Sequence, residues 1–357
     1  MKTRVIPAII AVLGVYIASN TYIAVKLWRW LEIGSRTAAW AWSIGFALLA
    51  GGFFIGMTKF LPAALNHALT VIGGYYMAAY TLLLVAVPLT SLIVRDRGGR
   101  MTALILIAAA IAYTAYGAWN AHHVRLEEYR VKGKDIPAMT IAMVSDIHLG
   151  EQIGADEAER IIGRINECDA DIVFMVGDVF DSGPSRVRDI GRVGELISSI
   201  KSRKGVYAVI GNHDGGFRGE EDLAEEYLES WGVTVLRDDV ANVDYIHIIG
   251  RRDSIEQRKD ITQLMELTNE GSCTIVLDHQ PADLEAICRA GADMVLCGHT
   301  HRGQIFPGCL ITDAMFKVDY GMDEDNGCTM IVSSGAGTWG PRVRTGSQSE
   351  VVKIIIE

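Results

Sequence analysis

The sequence predicts a membrane region of four α-helices followed by an α/β domain in which two facing β-sheets are flanked by helices. Four apolar stretches in the first third of the 357-residue chain are long enough to span a bilayer. Short apolar runs in the remainder each end in Asp, Asn, Gly or His residues, as buried strands with ligands at their carboxyl ends do. The charge balance changes where the two parts meet, near residue 137.

The apolar stretches cover residues 5–25, 37–57, 70–94 and 101–119. A signal peptide is an alternative for the first stretch, but no convincing small-residue cleavage site precedes Lys26 and three further stretches follow. The spacing of Gly52 and Gly56 favours the close approach of two helices. No Asp, Glu, Lys or Arg lies deep within a stretch, which argues against a transport pathway. Residues 1–120 are therefore predicted to be a transmembrane region with four spanning helices.

Charge separates the two parts of the chain. Residues 1–136 contain 13 Lys+Arg and 5 Asp+Glu, and the remainder contains 20 and 38, a net charge of −18. Residues 121–137 are predicted to form a basic linker that faces lipid headgroups, and residues 138–357 the α/β domain. Because a strongly acidic domain repels nucleic-acid backbones at long range, no nucleic-acid partner is expected.

The orientation in the membrane rests on a small difference in flanking charge. Seven basic residues flank the spans on the side of the N-terminus and the α/β domain, and six flank them on the other side. The positive-inside rule then places the domain in the cytoplasm. The six cysteines all follow residue 137, and an even count would also permit disulfides outside the cell.

Five apolar runs predict the buried strands: 139–144, 172–176, 206–210, 274–277 and 294–297. Helical patterns lie between several of them, as at 157–167 and 224–231, and residues 329–332 and 351–356 are predicted to be closing strands. Ligands at the carboxyl ends of adjacent strands converge on one edge of a sheet.

The side chains at these strand ends have the chemistry of a two-metal site. Five of the six histidines after residue 137 fall within motifs that also contain Asp or Asn. Two divalent cations need a carboxylate to bridge them, with imidazole, carboxylate and carboxamide ligands around each. Oxygen donors mixed with imidazole, and no Cys-x-x-Cys pair, favour Mn, Fe or Zn in a catalytic site over a structural zinc site. The motifs begin at Asp146 (D-x-H), Gly177 (G-D-x-x-D), Gly211 (G-N-H-D), Asp278 (D-H) and Gly298 (G-H-x-H).

In these motifs the chain resembles the calcineurin-like metallophosphoesterase family, over roughly residues 138–357. The resemblance implies that one metal is bound by Asp146, His148 and His301, and a second by Asn212, His279 and His299. It implies that Asp178 bridges the two.

The same resemblance implies a hydrolytic mechanism. A metal-bridging hydroxide would attack the phosphorus, and His213 would act as general acid, with Asp214 setting its tautomer. Asp181 is expected to support the site rather than to ligate, although an Asp after a strand equally often caps a turn.

The substrate class follows from the membrane anchor and the tail that begins at Gly337. Family members with a similar arrangement include enzymes resembling UDP-2,3-diacylglucosamine pyrophosphatase, so a lipid-linked or cell-envelope phosphodiester or pyrophosphate is the expected substrate. Arg342 and Arg344 are candidates for binding a phosphate or for the surface, and Trp339 for a sugar or acyl platform or a core position. The alternatives to an enzyme are a non-catalytic scaffold on the same fold and a membrane sensor.

Overall fold

The computed structural model describes residues 2–58, 60–94, 99–133, 137–216, 219–269 and 272–357. Its contacts divide the chain into two units. The helical unit comprises Met1–Trp119 and Gly340–Thr345, and the α/β unit comprises Asn120–Trp339 and Gly346–Glu357. Four of the flanking basic residues counted for the orientation lie outside the described residues: Lys59, Arg95, Arg97 and Lys134.

The described part of the first 121 residues forms four long helices, α1 (Lys2–Leu31), α2 (Arg36–Met57), α3 (Ala63–Val94) and α4 (Arg100–Ala121). Each contains a segment long and apolar enough to cross a bilayer, which confirms the predicted four spans. Many of their large apolar side chains are exposed, as the lipid-facing surface of a membrane helix requires.

Small residues and neutral hydrogen bonds pack the helical unit. A Cβ on Gly56 or Gly73 would lie closer than 3.0 Å to the neighbouring helix, so α2 and α3 cross closely, as the glycine spacing predicts. The Tyr76 hydroxyl of α3 donates a hydrogen bond to the Asn20 side chain of α1. Interhelical hydrogen bonds of this kind stabilise membrane helices without a buried charge.

The segment Gly340–Thr345, which lies far from the helices in sequence, folds with them. A Cβ on Gly117 of α4 would meet Val343 and Thr345, and the Arg344 amide donates a hydrogen bond to the Gly117 carbonyl at 2.9 Å. The Arg344 side chain is fully buried. It is therefore not the surface residue that was one of its two predicted alternatives.

In the described residues the α/β unit contains two six-stranded sheets. Sheet 1 has the order β1-β12-β2-β3-β4-β5, and sheet 2 the order β10-β11-β9-β8-β7-β6. The strands of sheet 1 are β1 (Arg125–Val131), β2 (Met139–Val144), β3 (Ile172–Val176), β4 (Val206–Val209), β5 (Val233–Val235) and β12 (Glu350–Ile356). Those of sheet 2 are β6 (Asp239–Val243), β7 (Ile246–Gly250), β8 (Cys273–Leu277), β9 (Met294–Cys297), β10 (Gly321–Asp325) and β11 (Cys328–Val332).

A shared apolar core joins the two sheets, and helices cover their outer faces. The core is built from alternate residues of both sheets, among them Ile141, Phe174 and Ile275. Sheet 1 packs on its other face against α5 (Ala155–Glu167), α6 (Ile190–Ser198) and α7 (Glu221–Ser230). Sheet 2 packs against α8 (Ile261–Met265) and α9 (Leu284–Arg289), and α10 (Gly308–Met315) follows β9. Two facing sheets flanked by helices are the predicted fold.

The structure differs from the predicted basic linker at residues 121–137. Seven of these residues form β1, which pairs in parallel with β12 at the edge of sheet 1. Tyr129 and Val131 pack against the shared core, and Arg130 between them is exposed. An edge strand needs only one partly apolar face, so the polar sequence of β1 resembles a linker when the pairing with β12 is not known.

Two further features of the α/β unit were left open by the sequence. Cys288 of α9 and Cys328 of β11 form a disulfide with their Cα atoms 5.5 Å apart. Cys273 and Cys297 are free and buried in strands, where they pack as small apolar residues.

Candidate metal centre

The predicted ligands come together at the carboxyl ends of β2, β3, β8 and β9. Potential ligand atoms of Asp146, His148 and His301 lie within 4.8 Å of one another, and so do those of Asp178, His279 and His299. The Nε2 atoms of His148 and His301 are 3.0 Å apart, and His301 Nε2 is 3.3 Å from Asp146 Oδ1. The structure thus brings six of the seven predicted ligands together in two groups.

Asp178 lies between the two sets. Its Oδ2 is 3.1 Å from His279 Nε2 in one set and 3.9 Å from His148 Nε2 in the other. Its Oδ1 accepts a hydrogen bond from the His213 amide at 2.8 Å. A carboxylate in this position is suited to bridging two cations.

The residues present fit two divalent cations. Asn212 Oδ1 is buried and has no hydrogen-bond partner among the described residues. His279 donates its Nδ1 proton to the Val176 carbonyl at 2.9 Å, which leaves the buried Nε2, facing Asp178, as the ring nitrogen that a cation could bind. A buried carboxamide oxygen without a hydrogen-bond donor, and an imidazole whose Nδ1 is held by a backbone carbonyl, are groups that a bound cation would satisfy.

The backbone at the site is strained in a pattern that matches the ligands. Five of the seven predicted metal ligands have positive φ angles between 48° and 71°, a region that costs non-glycine residues of order 1–3 kcal/mol each. These residues are Asp146, His148, Asp178, His299 and His301. Such strain persists where the surrounding fold and the site's function require it.

Glycine permits the close approach of strands β3 and β4 to the ligands. A Cβ on Gly211 would lie closer than 3.0 Å to the Asp178 carboxylate, and one on Gly177, whose φ is 77°, would meet the His279 ring. Any side chain at either position would displace a predicted ligand.

Charges within the site offset the cost of burial. Burial raises the pKa of the Asp178 carboxyl, but the facing imidazoles of His279 and His148 outweigh this and hold its pKa well below the ordinary value. Burial lowers the pKa of His279, yet its ion pair with Asp178 leaves it well above the ordinary value. Burial and the neighbouring His279 lower the pKa of His299. The Asp178 carboxylate is therefore ionised at neutral pH and available as a ligand.

The predicted general acid His213 lies beside the predicted ligand His148, and a potential ligand atom of its ring is within 4.8 Å of those of His148 and Asp181. Its Nδ1 donates a hydrogen bond to the Asp181 carbonyl at 3.1 Å, so its Nε2 is the atom that is free to carry a proton to or from a substrate. The ring packs against His148 at 5.2 Å and against Trp339 at 5.7 Å between centroids. Trp339 is 56% exposed, so it is not the core residue that was one of its predicted alternatives.

Asp181 contacts two histidines of the site, one through its backbone carbonyl and one through its carboxylate. Its carbonyl fixes the tautomer of His213, and its carboxylate lies 3.5 Å from the Nδ1 of the predicted ligand His148. This contact is made on the Nδ1 side of the His148 ring, opposite the Nε2 atom that faces His301.

The structure gives Asp214 a different role from the predicted one. Its Oδ2 accepts hydrogen bonds from the amides of Asp178 and Gly211, and its Oδ1 accepts one from Phe180. Burial and the charge of Asp178 raise the pKa of Asp214, and these amides oppose that rise. Because its oxygens are engaged by three backbone donors, Asp214 braces the ends of β3 and β4 and does not orient the His213 ring.

A network of two arginines, the buried Asp278 and the partly exposed Asp283 holds the turn that carries His279. Asp278, fully buried, accepts hydrogen bonds from Arg251 at 2.7 Å and from Arg258 at 3.1 Å. Both arginines also bond to Asp283. Sequence reasoning missed this network, although Arg251, which directly follows the apolar strand that ends at Gly250, was a signal for it.

Comparison with known proteins is consistent with this geometry. Residues 139–303 match the family described as calcineurin-like phosphoesterase, a range that includes all of the predicted ligands. The chain contains a calcineurin-like phosphoesterase domain. The resemblance stated from the motifs is thereby confirmed.

Several relatives share this domain. The chain is 31% identical over 282 residues to a transmembrane protein with metallophosphoesterase domain from Danio rerio. The aligned region covers 72% of this chain and 63% of that protein. It is 30% identical to an uncharacterized metallophosphoesterase from Helicobacter pylori, with 60% of this chain and 58% of that protein covered. A solved dimetal phosphatase from Danio rerio is similar at 12% identity and a TM-score of 0.36, with 55% of this chain and 87% of that one covered. The chain thus spans about 60% of the length of these two curated relatives.

Proposed function

We propose that the protein is a membrane-anchored, metal-dependent phosphoester hydrolase that cleaves phosphodiester or pyrophosphate bonds. The observation that supports this most directly is the position of Asp178 between two sets of ligands, at 3.1 Å from His279 and 3.9 Å from His148. A second set of ligands that shares a carboxylate with the first is characteristic of hydrolytic two-metal sites.

The chain would hold two divalent cations, of which Mn, Fe and Zn suit the donors best. Asp146, His148 and His301 would bind one, and Asn212, His279 and His299 the other, with Asp178 shared. When bound, two such cations activate water at neutral pH and offset the charge of the phosphoryl oxygens.

The chain's own contribution to the chemistry is a positioned proton. With the Nδ1 proton of His213 held by the Asp181 carbonyl, a second proton on Nε2 would be delivered to the leaving-group oxygen. The exposed Trp339 ring beside it would cover the leaving group and exclude water. No side-chain nucleophile is needed for this reaction.

We further propose a lipid-linked substrate. Four spanning helices would keep the site at the bilayer. This raises the effective concentration of membrane-bound esters at the site, whereas the effective concentration of soluble esters is unchanged. A large aromatic ring exposed beside the proposed general acid suits an apolar or sugar-bearing leaving group.

For the orientation, we propose that the domain faces an oxidising compartment. The flanking charges favour the cytoplasm by one residue only, whereas the Cys288–Cys328 disulfide belongs to a class of bond that is rare in reducing cytosol. A membrane-impermeant maleimide should label Cys309, a free and half-exposed cysteine, in intact cells. Labelling only after the cells are lysed would place the domain inside.

The proposed activity can be tested by assays on the purified full-length protein. Hydrolysis of bis-p-nitrophenyl phosphate and of a nucleotide-linked diacyl sugar would be compared after removal of metal and after return of Mn, Mg, Zn or Fe. We expect turnover only with metal, and a loss in His279→Ala that a matched change of a buried histidine outside the site, His247→Ala, does not produce. Equal losses in both variants, or full turnover without metal, would argue against a two-metal hydrolase.

A further inference from the structure

Helix α10 (Gly308–Met315) presents an apolar surface that the α/β core leaves uncovered. None of its residues is buried, and its three large apolar side chains, Leu310, Ile311 and Met315, are each between 61% and 68% exposed. The neighbouring Phe306 is also exposed, and Asp313 is the one charged residue of the helix. We call Phe306, Leu310, Ile311 and Met315 the α10 surface.

The exposure of the α10 surface does not come from a loosely held segment. Thr312 donates a hydrogen bond to the Asp319 carboxylate at 2.7 Å, and Thr300 donates one to the Asp319 carbonyl at 2.6 Å. The backbone of Gly308 packs directly on Gly303, just after the predicted ligand His301. The helix is therefore fixed to the turn that carries a metal ligand while its apolar side chains face outward.

Apolar groups continue from the α10 surface to the metal centre. The Phe316 ring, one residue beyond the helix, packs edge-on against the His299 ring at 6.4 Å. On the other side, the Gln304 side chain bonds to both the amide and the carbonyl of Trp339, whose ring lies against His213. Each of the two histidines is thus flanked by an aromatic residue of this region.

The chemistry of the α10 surface and the membrane helices of the same chain indicate which partner this surface binds. A cluster of large apolar side chains with a single charge is matched by lipid hydrocarbon and not by water or by a charged polymer. The same chain contains four helices suited to crossing a bilayer, so a membrane surface is always tethered within reach of this domain. From this we infer that the α10 surface inserts into the membrane interface and opens the metal centre toward lipid-borne substrates; the second half of this inference rests on the proposed function.

Spin labels on the full-length protein in nanodiscs test the insertion. In a Cys309→Ser background, labels at Leu310→Cys and Met315→Cys are compared with labels at Ile255→Cys and Leu267→Cys, exposed apolar positions elsewhere in the same domain. We expect the α10 labels to collide with oxygen more than with a water-soluble nickel complex, and the control labels to show the reverse. Equal access of nickel to all four sites overturns the inference, as does dipolar broadening that shows a second copy of the chain on α10.

A hydrolysis ratio tests the consequence for substrates. Leu310→Glu places a charge in the proposed interface, so the ratio of turnover on a bilayer-embedded diester to turnover on a soluble one should fall on the order of tenfold. Ile255→Glu should leave this ratio unchanged. An unchanged ratio in Leu310→Glu overturns the link to substrate. Failure of the unaltered protein to cleave either ester would instead refute the proposed function, and the spin-label result would stand independently.

Discussion

Replacement of Asp214 by Asn separates the bracing role of this residue from the orienting role that its sequence position suggests. In the structure its two oxygens accept three backbone hydrogen bonds, at 2.7 Å from Gly211 and Phe180 and at 2.9 Å from Asp178. Asparagine offers one oxygen, so its amino group must face at least one buried amide. The loss of one charge-assisted bond and the opposed donors should together cost about 3 kcal/mol.

Thermal unfolding of the full-length protein in detergent measures this cost. All free cysteines described in the chain belong to the α/β unit, so exposure of their thiols to a fluorogenic maleimide on heating reports the unfolding of that unit. A loss of about 3 kcal/mol should lower its Tm by roughly 6–12 °C. Asp238→Asn is a matched control, because buried Asp238 likewise accepts backbone bonds, from Arg252 and Lys259, but lies away from the ligands.

Metal content and leaving-group dependence then distinguish the two roles. Asp214 holds the backbone of Asp178 and of Gly211, and Gly211 directly precedes Asn212. The Asp214→Asn variant should therefore bind metal roughly 10- to 100-fold more weakly, whereas Asp238→Asn should bind metal normally. The fall in turnover should be the same for esters of acidic and of weakly acidic phenols. A fall that shrinks for acidic phenols, with unchanged Tm and metal content, would show that Asp214 acts through His213 and would refute the bracing role.

Further predictions concern the ligands, the general acid and the helices. Asp178→Asn removes the shared charge, so bound metal, measured by elemental analysis, and hydrolysis should both be lost; an active variant with two metals would contradict the bridging role. His213→Ala should keep both metals and lose roughly 10²–10⁴-fold in turnover, and less with acidic phenols, because their leaving oxygen needs no proton. His279→Ala should lose one metal and show no such recovery. Deletion of residues 1–120 should leave hydrolysis of a small chromogenic ester intact, because all predicted ligands follow them; a folded, metallated but inactive truncation would show that the helices help to build the site.

The sequence by itself determined the elements that depend on local patterns. Apolar stretches near 20 residues predict the four spans, and apolar runs that end in Asp146, Asp178 and His279 place ligands at strand ends. Parallel strands then bring these ends to one edge, so the grouping of six of the seven predicted ligands followed from sequence order.

Only the tertiary structure decided which neighbours each side chain has. The sequence placed Asp214 next to His213, but in the folded chain its carboxylate accepts hydrogen bonds from amides in the turns that follow β3 and β4. The carbonyl of Asp181, 32 residues earlier, holds the His213 ring. Likewise β1 becomes a strand because β12, from the other end of the domain, pairs with it. Adjacency in sequence fixes how far apart two Cα atoms lie, but it does not fix which groups their side chains contact. Those contacts depend on strands brought together from distant parts of the chain.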